Sequence, residues 1–482
     1  MQTADLHTRN LLIGFSAIIV LSLMAGIAGY WYFLAGVPAL ALVAYLAVVD
    51  FKKLFYLLFF FIPLTVEVWL PNGTVTDVPT EMMMVMMMFI YFLYVLRQGK
   101  VMEAGFLKHP ISLMLLLHLA WMFFAVAFSE AFIISFKFFL AKIWYVTTFF
   151  FLAGTLMRTE DDVKAITWTL IGPLCFTILF VTAKHATYGF TFADINHAVG
   201  PFYRNKVAYA CTLTILVPFV WITRHWYRRY SWKWLLLTGA ILLMLLGIQL
   251  SYTRAAYVTL LLAIGTYYVI QWRLMKMAVI GAAFFGVLLV YNEVKDNAYL
   301  DQKPTYEKTI THDKFSDLLS ATTKGRDVST MERVYRWVAG GHMIADKPGL
   351  GFGPGTFTTF YKEFTVTGFT TYVSANLEGS GIHCYYLMTA VEQGIVGALI
   401  FIALVFVVLL KGETIYHQTS NPARRRVVMI AMLTTVIIDG LLLMNDLVET
   451  DKIGSFFFLC MALLVNADLQ NRREKRLDGH KS

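Results

Sequence analysis

Charge is what this 482-residue sequence has least of: 15% of its residues are Asp, Glu, Lys or Arg, against 58% hydrophobic. A soluble domain carries about a quarter charged residues. With a mean hydropathy of +0.63, the composition excludes an ordinary water-soluble fold. Cysteine is scarce too. Cys175, Cys211, Cys384 and Cys460 all lie in or against apolar stretches, at spacings that fit no metal site. They read as small hydrophobes, which excludes a disulfide framework. There is no internal repeat and no low-complexity tract. A cleavable leader is not expected: "MQTADLHTRN" runs straight into an apolar stretch with no small-residue cleavage site, so the first helix is expected to stay.

What abounds is long apolar runs. Fourteen stretches, including 11–29, 32–49, 54–70, 383–410, 427–446 and 453–467, approach the ~17–20 residues that cross a bilayer. They predict an all-α polytopic membrane protein of about 12–14 transmembrane helices. Lys and Arg gather in "DFKK", "RQGKVMEAGFLKHP", "RHWYRRYSWK", "QWRLMK", "NPARRR" and the tail "NRREKRL". The positive-inside rule makes that side cytoplasmic, both termini included. The net charge of +9 reflects these loops and not a nucleic-acid surface. Five regions follow: an N-terminal bundle, 1–183; a core, 184–292, that opens with a short outer loop, 184–206; a large outer loop, 293–382; C-terminal helices, 383–467; and a cytoplasmic tail, 468–482.

Three cationic side chains stand where helices enter from the outer face: Arg204 before the helix near 207, Arg254 before that near 255, and His383 before that near 383. A helix N-terminus carries about half a positive charge, which disfavours cations there. For either arginine alone, snorkelling to lipid head groups is the plainer reading. Two together, with a histidine in an equivalent place, point to an anion such as a phosphate. In the large loop, Arg333 lies four residues before Trp337 on one helix face, with Arg336 on another. That helix is expected to end near Asp346, before Pro348. Gly349, Gly351, Gly353 and Gly355 follow as a compact turn. As a nucleotide loop this turn lacks the Lys-Ser/Thr that should follow. On a helix, Ala390, Gly394 and Gly397 fall within about 40° of the direction of His383. Such a small-residue stripe admits a neighbouring helix or a lipid chain. Glu392 lies on the opposite face and reads as a buried, paired carboxylate; Lys142 is deep enough to need an anion or a carboxylate.

In this combination the chain resembles the O-antigen ligase and O-antigen polymerase superfamily of bacterial envelope glycosyltransferases. His383, Gly394 and Gly397 match the ligase spacing, with Cys384 departing from it. "SYTRAAY" is similar to the family's arginine segment and places Arg254. "RVYRWVAGGHMIADKPGLGFGPGTF" resembles its Arg-x-x-x-Trp helix and glycine turn and places Arg333. "GPFYRNKVAYA" places Arg204 and Asn205. The resemblance covers about 200–400.

The resemblance implies transfer of a glycan from undecaprenyl diphosphate to an acceptor hydroxyl, lipid A–core first, at the periplasmic face of the inner membrane. No cofactor, metal or nucleic acid takes part. His383 would be the general base. Arg254 and Arg333, with Arg204, would clamp the departing diphosphate. Asn205, Arg336, Lys142, Gly394 and Gly397 complete the expected substrate-binding set, the glycines leaving room for the isoprenoid chain. Attack opposite the leaving group would invert the anomeric centre. A polymerase, taking another lipid-linked repeat as acceptor, shares the same residues. A lipid-linked oligosaccharide flippase is the rival outside enzymes. The histidines and acids of the outer loops match no compact metal-ligand motif.

Overall fold

In this computed structural model the described residues are 37–69, 75–99, 102–302, 328–371, 374–376 and 379–479, with part of 14–25. The chain divides into two units, Met1–Phe60 and Phe61–Ser482. In the first, α1 (Val37–Val49) meets α2 (Phe51–Phe61) at Asp50, whose Oδ1 accepts from the Lys53 amide at 3.1 Å. The expected helix over 11–29 falls largely outside the described residues.

The second unit opens with a correction. The expected span 54–70 stops at Phe61, and Pro63 then sits in a short 3-10 turn. Two antiparallel strands follow, β1 (Val66–Trp69) and β2 (Val75–Val78), in the register Val66 to Val78. The apolar run there is β-branched and alternating, and strand pairing takes it over. Helices α3 (Thr80–Gln98), α4 (Pro110–Ala127), α5 (Phe132–Leu156) and α6 (Glu160–Thr187) come next. They are followed by α7 (Lys206–Thr223), α8 (Trp232–Leu250), α9 (Arg254–Gln271) and α10 (Met275–Val294). Within the stretch 293–382 lies α11 (Val328–Asp346), and beyond it come α12 (Tyr385–Gln418), α13 (Pro422–Leu442) and α14 (Asp451–Gly479).

Nine helices among the described residues are long and apolar enough to cross a membrane. The chain is an all-α polytopic membrane protein in architecture, the β1–β2 hairpin aside. Two more long helices, α9 and α13, fall outside that set; α13 opens with Arg424, Arg425 and Arg426, which dilute its apolar length. Burial sorts the bundle. The apolar window of α14 is 83% buried and that of α10 only 6%, so α14 is central and α10 faces outward. Local signals set several helix starts. Asn205 caps α7 by accepting from the Ala208 amide at 2.9 Å, and Ser231 caps α8 through the Trp234 amide.

The helix expected over 383–410 begins at Tyr385 and breaks once, at Gly394, where φ is +72° and ψ 175°. The glycine turn fills that break. The Phe352 amide donates to Val391 O at 3.0 Å, the Gly353 amide to Glu392 O at 2.9 Å, and the Ile395 amide to Pro348 O at 2.9 Å. Glu392 completes the seal, its carboxylate accepting from the Gly355 and Phe357 amides at 2.8 and 3.1 Å. An opened helix within a membrane span leaves amides and carbonyls that must find protein partners. The turn supplies them. On its other side Glu130 N and Ser129 Oγ both donate to Phe352 O.

Candidate functional site

The site is built where α7, α9 and α12 begin. His383 precedes α12 by two residues, Cys384 being the N-cap, and its own backbone is left-handed at φ +57°. The helical wheel expected from His383 to Gly394 and Gly397 therefore does not exist: the histidine is off the helix, and the helix breaks at Gly394. Nor do these glycines leave a groove. A Cβ on Gly394 would lie 1.9 Å from Gly349 O, and one on Gly397 would lie 2.9 Å from Trp121 Nε1. Both positions are filled by protein.

The backbone before His383 is fastened to α11. Arg336 Nη1 donates to Gly381 O at 3.2 Å, and Trp337 Nε1 donates to Ile382 O at 3.1 Å. Gly340, one turn on, lets Ile382 approach so closely that a Cβ there would meet its Cδ1 at 2.6 Å. Arg336 is itself anchored: Nη2 reaches Glu332 Oε2 at 3.3 Å, and Glu332 also accepts from Thr371 and Ser374. This buried pair makes Arg336 a fastening of the histidine loop more than an open anion contact. The expected helix around Arg333 and Trp337 runs to Asp346 as read from the sequence.

Electrostatics join the cations to His383. Burial first, then repulsion by Arg333, Arg336 and Arg204, pushes the His383 imidazole down to about 3. Three guanidiniums therefore act electrostatically on one half-buried ring and favour its neutral form. Arg204 is exposed, Arg333 half-buried. Arg254 is the first residue of α9. Its neighbour Thr253 ties the start of α9 to that of α7, Oγ1 donating to Lys206 O at 3.3 Å. Asn205 spends its side-chain oxygen on capping α7.

Lys142 is elsewhere in purpose. Its ammonium donates to both Glu449 oxygens at 2.6 and 2.8 Å and lies 3.5 Å from Tyr385 Oη. The depth of this lysine called for an anion or a carboxylate, and the carboxylate is internal. The structure thus gives Lys142, expected as a substrate contact, an ion pair with Glu449.

One acid escaped the sequence reading. Asp446 packs on the histidine loop so tightly that a Cβ on Gly381 would meet its Oδ2 at 2.0 Å. Burial, then the charge of Glu449, pushes its carboxyl above the usual range, while Arg204 and Arg336 pull it back. The Cys384 thiol is pushed up by burial, with Asp446 adding to it. Nothing in "MNDLVETDK" marks Asp446 locally; only the fold brings it to Gly381. Among the described residues no group of three His, Cys, Asp or Glu is arranged to hold a metal ion.

These cations lie on the segments that bear the motifs noted above. Residues 239–402 match the family model for O-antigen ligase. The match bears out the resemblance to the O-antigen ligase and polymerase superfamily, and supports a glycosyltransferase of that type. It takes in Arg254, Arg333, Arg336, His383, Gly394 and Gly397, and leaves Lys142, Arg204, Asn205 and Asp446 outside. No curated protein matches the chain. O-antigen ligase chemistry acts on lipid-linked glycans in a membrane, and the exposed α10 and apolar spans fit that setting.

Proposed function

We propose that this protein transfers a glycan from undecaprenyl diphosphate to an acceptor hydroxyl, lipid A–core first, at the periplasmic face of the inner membrane. The observation that carries the reading is the electrostatic influence of Arg204, Arg333 and Arg336 on the half-buried ring of His383, on a loop fastened to the helix that bears two of them. A neutral imidazole takes the proton of the acceptor hydroxyl as its oxygen attacks the anomeric carbon. The bond from that carbon to the diphosphate breaks, and the electron pair leaves with the diphosphate, inverting the centre. Arg204, Arg254 and Arg333 stabilise the charge that develops, which counts most where water is scarce. Arg336 holds the loop. Burial and the guanidiniums make the ring a weak base. An entering diphosphate offsets the guanidiniums and raises its proton affinity, so the base strengthens once the donor is in place. No metal step is required in this scheme.

The test uses purified protein, lipid-linked glycan donor and lipid A–core acceptor in detergent, with no second compartment. His383→Ala is expected to lose at least about a hundredfold in rate, within the usual span of general-base loss. Arg254→Ala and Arg333→Ala should lose most activity, with Lys a partial rescue. Transfer that survives in His383→Ala would remove the base. Deleting the gene distinguishes the acceptors. Long glycan left on the carrier, with bare lipid A–core, marks a ligase; lipid A–core capped with single repeats marks a polymerase.

A further inference from the structure

At the far end of the bundle from His383 lies a cavity of 760 Å³ between α7, α8, α9 and α13. Its walls are apolar, among them Leu245, Leu260, Ile264, Met429 and Leu433, and its mouth carries Arg425 and Arg426. The glycan-transfer reading makes no use of it. We propose that this cavity binds one anionic glycerophospholipid of the leaflet at that end, its phosphate at Arg425 and Arg426 and an acyl chain along the apolar walls.

Three features argue for that occupant. The first is charge. Arg424, next in sequence, is neutralised by Glu474 at 2.7 Å. Arg425 instead gives Nε and Nη2 to the neutral carbonyl of Thr419, at 3.1 and 2.8 Å. Arg426 lies over the Trp226 ring at 5.9 Å. Among the described residues neither of these two meets a carboxylate. Their two charges stand unneutralised beside an apolar opening, the pattern that binds acidic head groups between transmembrane helices. The Thr419 carbonyl also holds the Arg425 guanidinium in place, so an anion meets a fixed donor.

The second is depth. From Leu260 to Tyr268 the α9 wall climbs about 12 Å at 1.5 Å per residue. One leaflet of hydrocarbon is about 15 Å thick. The cavity is one leaflet deep, matching an acyl chain whose head group stays at the mouth. The third is access. Leu245, Ile264, Tyr267 and Tyr268 remain exposed along the cavity, so a lipid enters sideways from the bilayer. Tyr267 and Tyr268 supply the amphipathic rings that favour head-group level. A polyisoprenyl tail reaching down from the His383 end would bring no charge to the two arginines, which is why a phospholipid fits better.

The full-length protein, purified in neutral detergent, is titrated with phosphatidylglycerol or phosphatidylcholine and followed by native mass spectrometry. One phosphatidylglycerol is expected to be retained in preference to phosphatidylcholine. The double variant Arg425→Gln/Arg426→Gln should weaken it about tenfold or more. Leu260→Trp, which fills the cavity and leaves the charges, should do likewise; Ile264→Trp serves if that variant is not monodisperse. Arg472→Gln/Arg473→Gln, removing the same charge from α14, should change little. Equal retention of the two lipids overturns the proposal. So does unchanged binding in the cavity variants, an equal loss in the α14 variant, or displacement by undecaprenyl phosphate at equal concentration.

Discussion

Trp337 donates its indole Nε1–H to the carbonyl of Ile382, the residue before His383, at 3.1 Å. The bond fixes the loop on which His383 is carried, and it comes from the same helix that carries Arg333. Trp337→Phe keeps a ring and removes the donor. One lost hydrogen bond costs about 1 kcal/mol of stability, so the melting temperature should fall by a few degrees at most. Glycan transfer should fall about tenfold or more, because small misplacements of a catalytic group are costly. Full activity in this variant would show that the loop holds its geometry without the indole.

The pH behaviour of His383 follows from its surroundings. Burial and the nearby arginines hold the imidazole down to about 3 in the folded protein, against its ordinary 6.5. Between those values the unfolded chain binds a proton that the folded one does not. The stability due to the neutral ring is whole above pH 6.5 and is lost as pH falls through 3. Thermal unfolding should therefore worsen with acid over that window more steeply in the wild type than in His383→Gln. Activity adds a second signature. The acid limb of kcat/KM reports the empty site and that of kcat the loaded one. The kcat limb should lie at higher pH, since bound diphosphate offsets the arginines. Coincident limbs would place the diphosphate away from this histidine.

Gly394 is a point of backbone contact. Its φ of +72° disfavours any Cβ, and the nearest atom to one would be Gly349 O at 1.9 Å. Gly394→Ala should destabilise the protein by about 3 kcal/mol or more, as overpacking and left-handed strain combine. In α11, a Cβ on Gly341 meets nothing within 4 Å. Gly341→Ala should leave stability unchanged or raise it by up to about 1 kcal/mol. Melting curves of both in detergent decide it; a well-tolerated Gly394→Ala would return that position to the lipid.

Local pattern carried the reading of α11: Arg333 and Trp337 one turn apart, Asp346 at the end, Pro348 beyond. Apolar length carried the spans from α3 onward. What stayed hidden is what the chain assembles at long range. Glu449 lies 307 residues from Lys142, and no spacing in either segment announces the other. Gly394 reads as a helical small residue until Phe352 and Gly353 pair with Val391 and Glu392. The β1–β2 hairpin hid inside an apolar run whose composition suits a helix as well as a strand. His383 itself was legible by motif, but its place off the helix was not.

Lys142 is 4% exposed and its partner Glu449 24%. Removing one member of such a pair leaves an uncompensated charge, at a cost of about 3 kcal/mol or more. Lys142→Met should therefore lower the melting temperature sharply. The double variant Lys142→Met/Glu449→Gln should recover much of that loss, because both charges go together. If Lys142→Met instead left stability intact and raised the KM for the lipid-linked donor, the lysine would belong to the substrate after all.

Asp446 sits between two opposing influences. Burial and Glu449 favour its neutral form, while Arg204 and Arg336 favour the charged one. Those same two arginines repel a proton on His383. Any negative charge on Asp446 therefore shields the imidazole, and removing the side chain leaves the ring facing the arginines alone. Asp446→Ala should move the acid limb of the rate profile to lower pH and reduce kcat about tenfold, as a weaker base would. The KM for the donor should stay level or fall, since an acid has left the neighbourhood of a diphosphate. Asp446→Glu should not rescue, because the space beside Gly381 is already closed to a single extra carbon. Asp446→Asn separates shape from charge. It should follow the alanine variant in its pH limb while keeping the melting temperature of the wild type. A raised KM with an unmoved pH limb would instead make Asp446 a contact of the acceptor.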